Sequence, residues 1–146
     1  MINIAVLGYG TVGSGVVEVI ETNKEIINQR AGQQLNVKYI LDLRDFPGDP
    51  YEQKVVHDVN IILEDPEINI VCETMGGLQP AYEFSRKALL SGKSVCTSNK
   101  ELVEAHGPEL IELAKAHGIL FHTDAVQAAG QGRGGTDRLA EPVLQA

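Results

Sequence analysis

Along the first 122 positions, short apolar runs alternate with stretches that are apolar on one side only. Residues 2–7 (Ile-Asn-Ile-Ala-Val-Leu) form an apolar run that ends at a glycine and predict a buried strand. Over 11–30, Val12, Val16, Ile20 and Ile27 recur at helical spacing with Asn23 on the same face, and Arg30 followed by Gly32 makes a stop. Residues 35–43 predict a second strand. The breaker-rich segment Asp45-Phe46-Pro47-Gly48-Asp49-Pro50 predicts a loop. Residues 54–57 suit a short edge strand, and Asp58 suits the cap of a brief helix ending before Pro66. A strand over 69–73 leads into a Gly76-Gly77 loop and a helix from about Pro80 to Leu90, with Pro80 in its first turn. Residues 94–97 predict another strand. Asn99 then caps a helical stretch that breaks near Gly107-Pro108 and ends at His117-Gly118, and residues 119–122 predict a last strand. From Ala128 the character changes: 130–136 is glycine-rich and the last ten residues have no strong period.

Strands alternating with helices predict an α/β protein with a doubly wound, mostly parallel sheet, its strand order 3-2-1-4-5-6. At 146 residues the chain has room for one core and one domain. Twelve Lys and Arg against twenty Asp and Glu give a net charge of −8, which leaves no electrostatic footprint for nucleic acid or anionic lipid. Cys72 and Cys96 lie inside apolar runs and read as buried thiols of a reducing compartment. No run approaches the roughly 18 apolar residues of a membrane helix. The chain opens directly on a strand with no basic leader. The expectation is a soluble cytoplasmic domain that works without a membrane.

Gly8-Tyr9-Gly10-Thr11-Val12-Gly13 matches G-x-G-x-x-G, directly after a strand and at the opening of a helix. In that context Gly8 serves the tight turn, Gly10 lets a pyrophosphate approach the backbone, and Gly13 lets helix and strand pack closely. The N–H groups at 11–13 and the helix dipole favour an anion. The sheet is therefore of Rossmann type, with NAD or NADP as cofactor. An acidic residue at the end of the second strand suits the ribose hydroxyls of NAD, whereas an arginine suits the extra phosphate of NADP. This chain offers both, Asp42 and Arg44. Strand alternation points them the same way, and Arg44 tilts the reading toward NADP.

Glu73-Thr74-Met75-Gly76-Gly77 leaves the strand beside the first one, where Met75, Gly76 and Gly77 would border the nicotinamide end. Ser98-Asn99-Lys100 follows the fifth strand. Lys100 opens a helix, where a cation opposes the macrodipole, so an anionic partner would suit it. His57, His106 and His117 stand apart, with no partner at metal-ligand spacing, and no metal is expected.

The pieces Ala5–Gly13, Val71–Gly77, Ala88–Lys93 and Thr97–Lys100, taken in this order and spacing, resemble homoserine dehydrogenase over residues 2 to about 118. The resemblance implies reversible NAD(P)-dependent reduction of aspartate 4-semialdehyde to homoserine. It implies that Gly8, Gly10, Thr11, Val12 and Gly13 hold the pyrophosphate and that Gly76 and Gly77 border the nicotinamide ribose. Ser98, commonly threonine in that family, would lie beside the cofactor. Lys100 would be the active-site lysine that takes part in proton transfer at the substrate oxygen.

Residues 119–130 depart from that family and resemble a cysteine desulfurase segment in which Asp124 and Gln127 match pyridoxal-phosphate contacts. No Schiff-base lysine context follows, so no pyridoxal phosphate is expected. The expected organisation is a dinucleotide-binding domain over 1–124, completed by a foreign-looking strand at 119–122, and a tail of low order over 125–146. Such a chain reads as truncated or hybrid. It would bind a dinucleotide, would take a small-molecule substrate only if the missing domain were supplied, and would not be catalytic alone. A homo-oligomer is compatible with it. The alternative is a stand-alone nucleotide-binding or interaction module without enzyme activity.

Overall fold

The computed structural model describes residues 1–123, so the expectations for Asp124, Gln127 and the 125–146 tail lie outside the described residues. Six strands are present: β1 (Ile2–Leu7), β2 (Leu35–Leu41), β3 (Val55–Val56), β4 (Ile68–Glu73), β5 (Ser94–Thr97) and β6 (Phe121–Thr123). The helices are α1 (Thr11–Thr22), α2 (Lys24–Ala31), α3 (Val59–Leu63), α4 (Ala81–Leu90) and α5 (Lys100–Ala116). The strand order is β3-β2-β1-β4-β5-β6, as the alternation of elements predicts. The chain divides into two compact units, Met1–Met75 and a second beginning at Gly76.

In the first unit, β1 pairs in parallel with β2 on one side and β4 on the other, and β2 pairs in parallel with β3. Both faces of β1 are covered, which is why its last four residues are uninterrupted apolar and buried. The core gathers Ile4, Val6, Tyr9, Val17, Val37 and Ile40. Leu7 lies opposite Leu41 in β2 and Glu73 in β4, so the three chains leave the sheet side by side at residues 8, 42 and 74.

The single helix expected over 11–30 is two helices. Asn23 separates them at φ −104° and ψ 25°, and its side-chain amide donates to the Val19 carbonyl at 3.2 Å. That local bond competes with the helical ladder, which is the usual effect of asparagine inside a helix. The inward face of α1 is carried by Gly13 and Val17, with Val16 and Ile20 partly buried, while Val12 is 53 % exposed. A glycine at the centre of the buried face hides that face from hydrophobic periodicity. Asp58 caps α3 as expected, its carboxylate accepting from the Asn60 N–H at 2.9 Å.

In the second unit, β5 and β6 pair in parallel, from Val95 opposite Phe121 to Thr97 opposite Thr123. The final strand thus spans Phe121–Thr123 rather than 119–122. Helix α4 buries Ala81, Ser85, Ala88 and Leu89, and α5 buries Leu102, Gly107, Leu110 and Ala114. The break expected at Gly107-Pro108 does not occur, because α5 runs through Pro108. Gly107 has no Cβ to clash with the proline ring, which removes one part of the penalty a proline carries inside a helix. Cys72 and Cys96 are half-buried rather than fully buried. No helix among the described residues is long and apolar enough to cross a membrane.

Candidate functional site

The first unit brings Gly8, Gly10–Gly13, Asp42, Arg44 and Met75 to the C-terminal ends of β1, β2 and β4. Backbone bonds fix this end: Gly8 N–H donates to the Leu41 carbonyl at 2.7 Å, Thr74 N–H to the Leu7 carbonyl at 3.0 Å, and Asp42 N–H to the Val56 carbonyl at 3.1 Å. The Thr74 hydroxyl donates between the carbonyl oxygens of Leu7 and Gly8, at 2.8 and 3.1 Å. The buried Glu73 carboxylate accepts from Met75 N–H at 2.7 Å. Motif reading missed Thr74 and Glu73 as supports of the turn. A polar pair straight after an apolar strand was the signal that could have found them.

The motif glycines have different surroundings. A Cβ on Gly13 would lie 1.9 Å from the Gly8 carbonyl oxygen and 2.8 Å from Thr74 Oγ1, so no side chain fits there. A Cβ on Gly10 would meet nothing within 4 Å. Gly10 is the N-cap of α1 and offers no side-chain cap, while its carbonyl accepts the Ser14 N–H at 2.9 Å. The N–H groups of Thr11, Val12 and Gly13 therefore open α1 with no i−4 carbonyl to bond. An open space above a glycine, at a helix start with first-turn donors, fits a pyrophosphate.

Strand β2 ends at Leu41, so Asp42 and Arg44 are not on a strand, and alternation does not align them. They meet because the loop turns back. The Asp42 carboxylate, 10 % exposed, accepts the Arg44 N–H at 2.9 Å on Oδ1 and the Arg44 Nε at 3.0 Å on Oδ1. On Oδ2 it accepts Arg44 Nη2 and Tyr9 N–H, both at 3.0 Å. A carboxylate offers about four lone-pair sites, and all are taken. Bonding to the Arg44 side chain, more than burial opposes it, holds the Asp42 carboxyl well below the usual carboxylate range, aided by the N–H groups of Arg44 and Tyr9.

Tyr9, the variable position between the first two glycines, is buried and donates its hydroxyl to Asp49 Oδ1 at 2.9 Å. Burial, then this bond, pushes its phenol up to about 12. Its ring meets Phe46 edge-on at 4.9 Å, and the Arg44 guanidinium sits 5.1 Å from the same Phe46 ring. The loop expected at 45–50 is thus pinned to the glycine motif.

In the second unit, Gly76 and Gly77 both take left-handed conformations, with φ of +78° and +74°, a pair of values only glycine adopts readily. Asn99 ties this loop to α5. Its Nδ2 donates to the Gly77 carbonyl at 2.6 Å, and its Oδ1 caps α5 by accepting Leu102 N–H at 3.1 Å. Asn99 N–H in turn donates to Thr97 Oγ1 at 2.9 Å. Ser98 and Lys100 flank this buried residue and are both exposed, and among the described residues no ion pair holds Lys100. No group of three or more His, Cys, Asp or Glu suited to a metal ion occurs among the described residues.

The family model of the homoserine dehydrogenase NAD-binding domain matches residues 8–124. The chain belongs to this family. Homoserine dehydrogenase of Lactococcus lactis subsp. lactis is 36 % identical over 135 residues, covering 88 % of this chain and 31 % of that protein. The Helicobacter pylori homoserine dehydrogenase is 37 % identical over 122 residues, covering 82 % and 28 %. The crystal structure of Staphylococcus aureus homoserine dehydrogenase at pH 7.5 superposes with a TM-score of 0.78 at 38 % identity, covering 85 % of this chain and 32 % of that one. The NAD(P)-binding domain therefore spans about a third of the length of these relatives. The family match extends to residue 124 and takes in 119–122, the strand that the sequence reading set apart as foreign.

Proposed function

We propose that this domain holds NAD(P) on Gly8–Gly13 and serves an enzyme that interconverts homoserine and aspartate 4-semialdehyde. The observation that carries the reading is the contrast between Gly13, closed to any Cβ, and Gly10, open above the start of α1. The N–H groups of Thr11, Val12 and Gly13 bind the pyrophosphate, and Met75 lines the turn beside Gly8. Gly76, Gly77 and Ser98 serve the nicotinamide ribose, and Lys100 holds or moves the proton at the substrate oxygen; these four assignments rest on the family likeness. The bound dinucleotide supplies a hydride. We take residues 1–124 as the dinucleotide-binding domain of a cytoplasmic enzyme.

Cofactor choice follows from the saturated Asp42 carboxylate. A ribose diol gains Asp42 only when the Arg44 side chain leaves it. A 2′-phosphate draws that guanidinium to itself, since Arg presents a bidentate fork suited to phosphate. One movement of Arg44, whose side chain is 64 % exposed, would accommodate both cofactors. The cation next to the ribose end favours NADP.

Fluorescence titration of the 146-residue chain with NADH and NADPH tests the reading. Binding of both, tighter for NADPH, with no turnover of homoserine, is the expected result. Turnover needs substrate held in near-attack geometry by groups beyond this domain. Failure to bind either dinucleotide at millimolar concentration overturns the reading. It would favour an interaction module without enzyme activity.

A further inference from the structure

We propose that His57 is a second specificity-determining residue, a cation that leaves Asp45 to join Arg44 on the 2′-phosphate of NADP. The inference rests on the dinucleotide reading above and extends it to a residue that motif reading had set aside as a lone histidine.

Strand pairing puts His57 there. Leu41 lies opposite Val56, and Asp42 N–H donates to the Val56 carbonyl, so the next residues, 42 and 57, leave the sheet together. His57 Nδ1 lies 2.6 Å from the Asp42 carbonyl oxygen, and Nε2 lies 2.9 Å from Asp45 Oδ1. Both partners are acceptors. Only the imidazolium carries a donor on each nitrogen, so this geometry is satisfied in full by the charged ring alone. The charged groups that act on it are the Asp45 and Asp42 carboxylates, and the bond to the Asp42 carbonyl does most to raise its pKa above the ordinary value.

The ring is half exposed at 50 %, and its Asp45 partner is 85 % exposed. An ion pair so open to water is weak and exchanges readily. A phosphate brought to Arg44 is a denser anion with more acceptor oxygens than the Asp45 carboxylate, and it competes for the same proton donor. NAD has no such phosphate and gains nothing from His57. Discrimination between the two cofactors therefore depends on pH, through the charge on this ring.

NADH and NADPH titrations of the full 146-residue chain between pH 6.5 and pH 8.5 test this, with His57→Gln and Asp45→Asn alongside. In the parent, the preference for NADPH falls by about threefold across the range, the scale of an exposed charged contact. In H57Q it is lower at pH 6.5 and flat above the phosphate's own titration, while NADH affinity is unchanged. In D45N, which removes the competing carboxylate from an exposed position, NADPH binds more tightly and NADH does not. Equal NADPH-to-NADH ratios and pH profiles in parent and H57Q, with both cofactors binding, overturn the role of His57 and leave the dinucleotide reading standing. Binding of neither cofactor by the parent overturns both.

Discussion

The Tyr9 N–H donates to Asp42 Oδ2 at 3.0 Å, joining the glycine motif to the residue that follows β2. With Arg44 on the same carboxylate, this bond favours the ionised form in the folded chain. A carboxyl held below its ordinary value contributes stability that is present above roughly pH 4 and is lost as pH falls through the folded pKa. Asp42→Asn is therefore expected to lower the melting temperature at pH 7. The gap to the parent should narrow as the pH is taken below about 4. Thermal melts at several pH values check this, and a gap independent of pH would contradict it.

Two alanines separate the roles of the motif glycines. Gly13→Ala puts a methyl 1.9 Å from the Gly8 carbonyl, which forces α1 away from β1 and should cost at least ~3 kcal/mol. Gly10→Ala meets no protein atom, and its φ of −85° suits alanine. Its stability should stay within ~0.5 kcal/mol of the parent, while NADH and NADPH binding falls at least tenfold. Denaturant melts beside cofactor titrations distinguish the two. Equal stability losses would refute the division of labour.

Asn99 does two jobs with two different atoms, and two substitutions separate them. Asn99→Ala removes both the α5 cap and the tie to Gly77, at about 1–2 kcal/mol. Asn99→Asp keeps the cap acceptor and loses the amide donor. It should retain most of α5 stability, yet hydrogen exchange in the 76–79 loop should quicken.

Ser85 is fully buried on α4, and among the described residues its hydroxyl has no hydrogen-bond partner. An unsatisfied buried hydroxyl is unfavourable, and alanine is the better helix former. Ser85→Ala should leave cofactor binding intact and raise stability by up to about 1 kcal/mol. A loss of stability would mean that the hydroxyl has a role the geometry does not reveal.

Local chemistry was legible in the sequence wherever one residue acts on its own backbone. The glycine motif at 8–13, the Asp58 cap and the Asn99 cap all read directly from residue type and position. For Asp42 and Arg44 the structure replaces the reason that puts them side by side. Strand alternation does not reach past Leu41, and a turn rather than a pleat brings them together. Val12 was placed on the inner face of α1 because a buried glycine adds no hydrophobic signal to the pattern. Pro108 suggests a break by residue type, yet α5 continues through it where the preceding Gly107 has no Cβ. The bonds from Tyr9 to Asp49 and from Asn99 to Gly77 link positions distant in sequence. Nothing in their residue types announces a partner, because topology alone brings them together.

Among the described residues, the outermost strands of the sheet, β3 and β6, have two and three residues. A sheet border is a row of open peptide groups on which another chain can template, and its hazard grows with its length. Borders this short give a stray strand almost nothing to zip along. On the β3 side of the sheet, brevity itself thus limits edge-to-edge pairing.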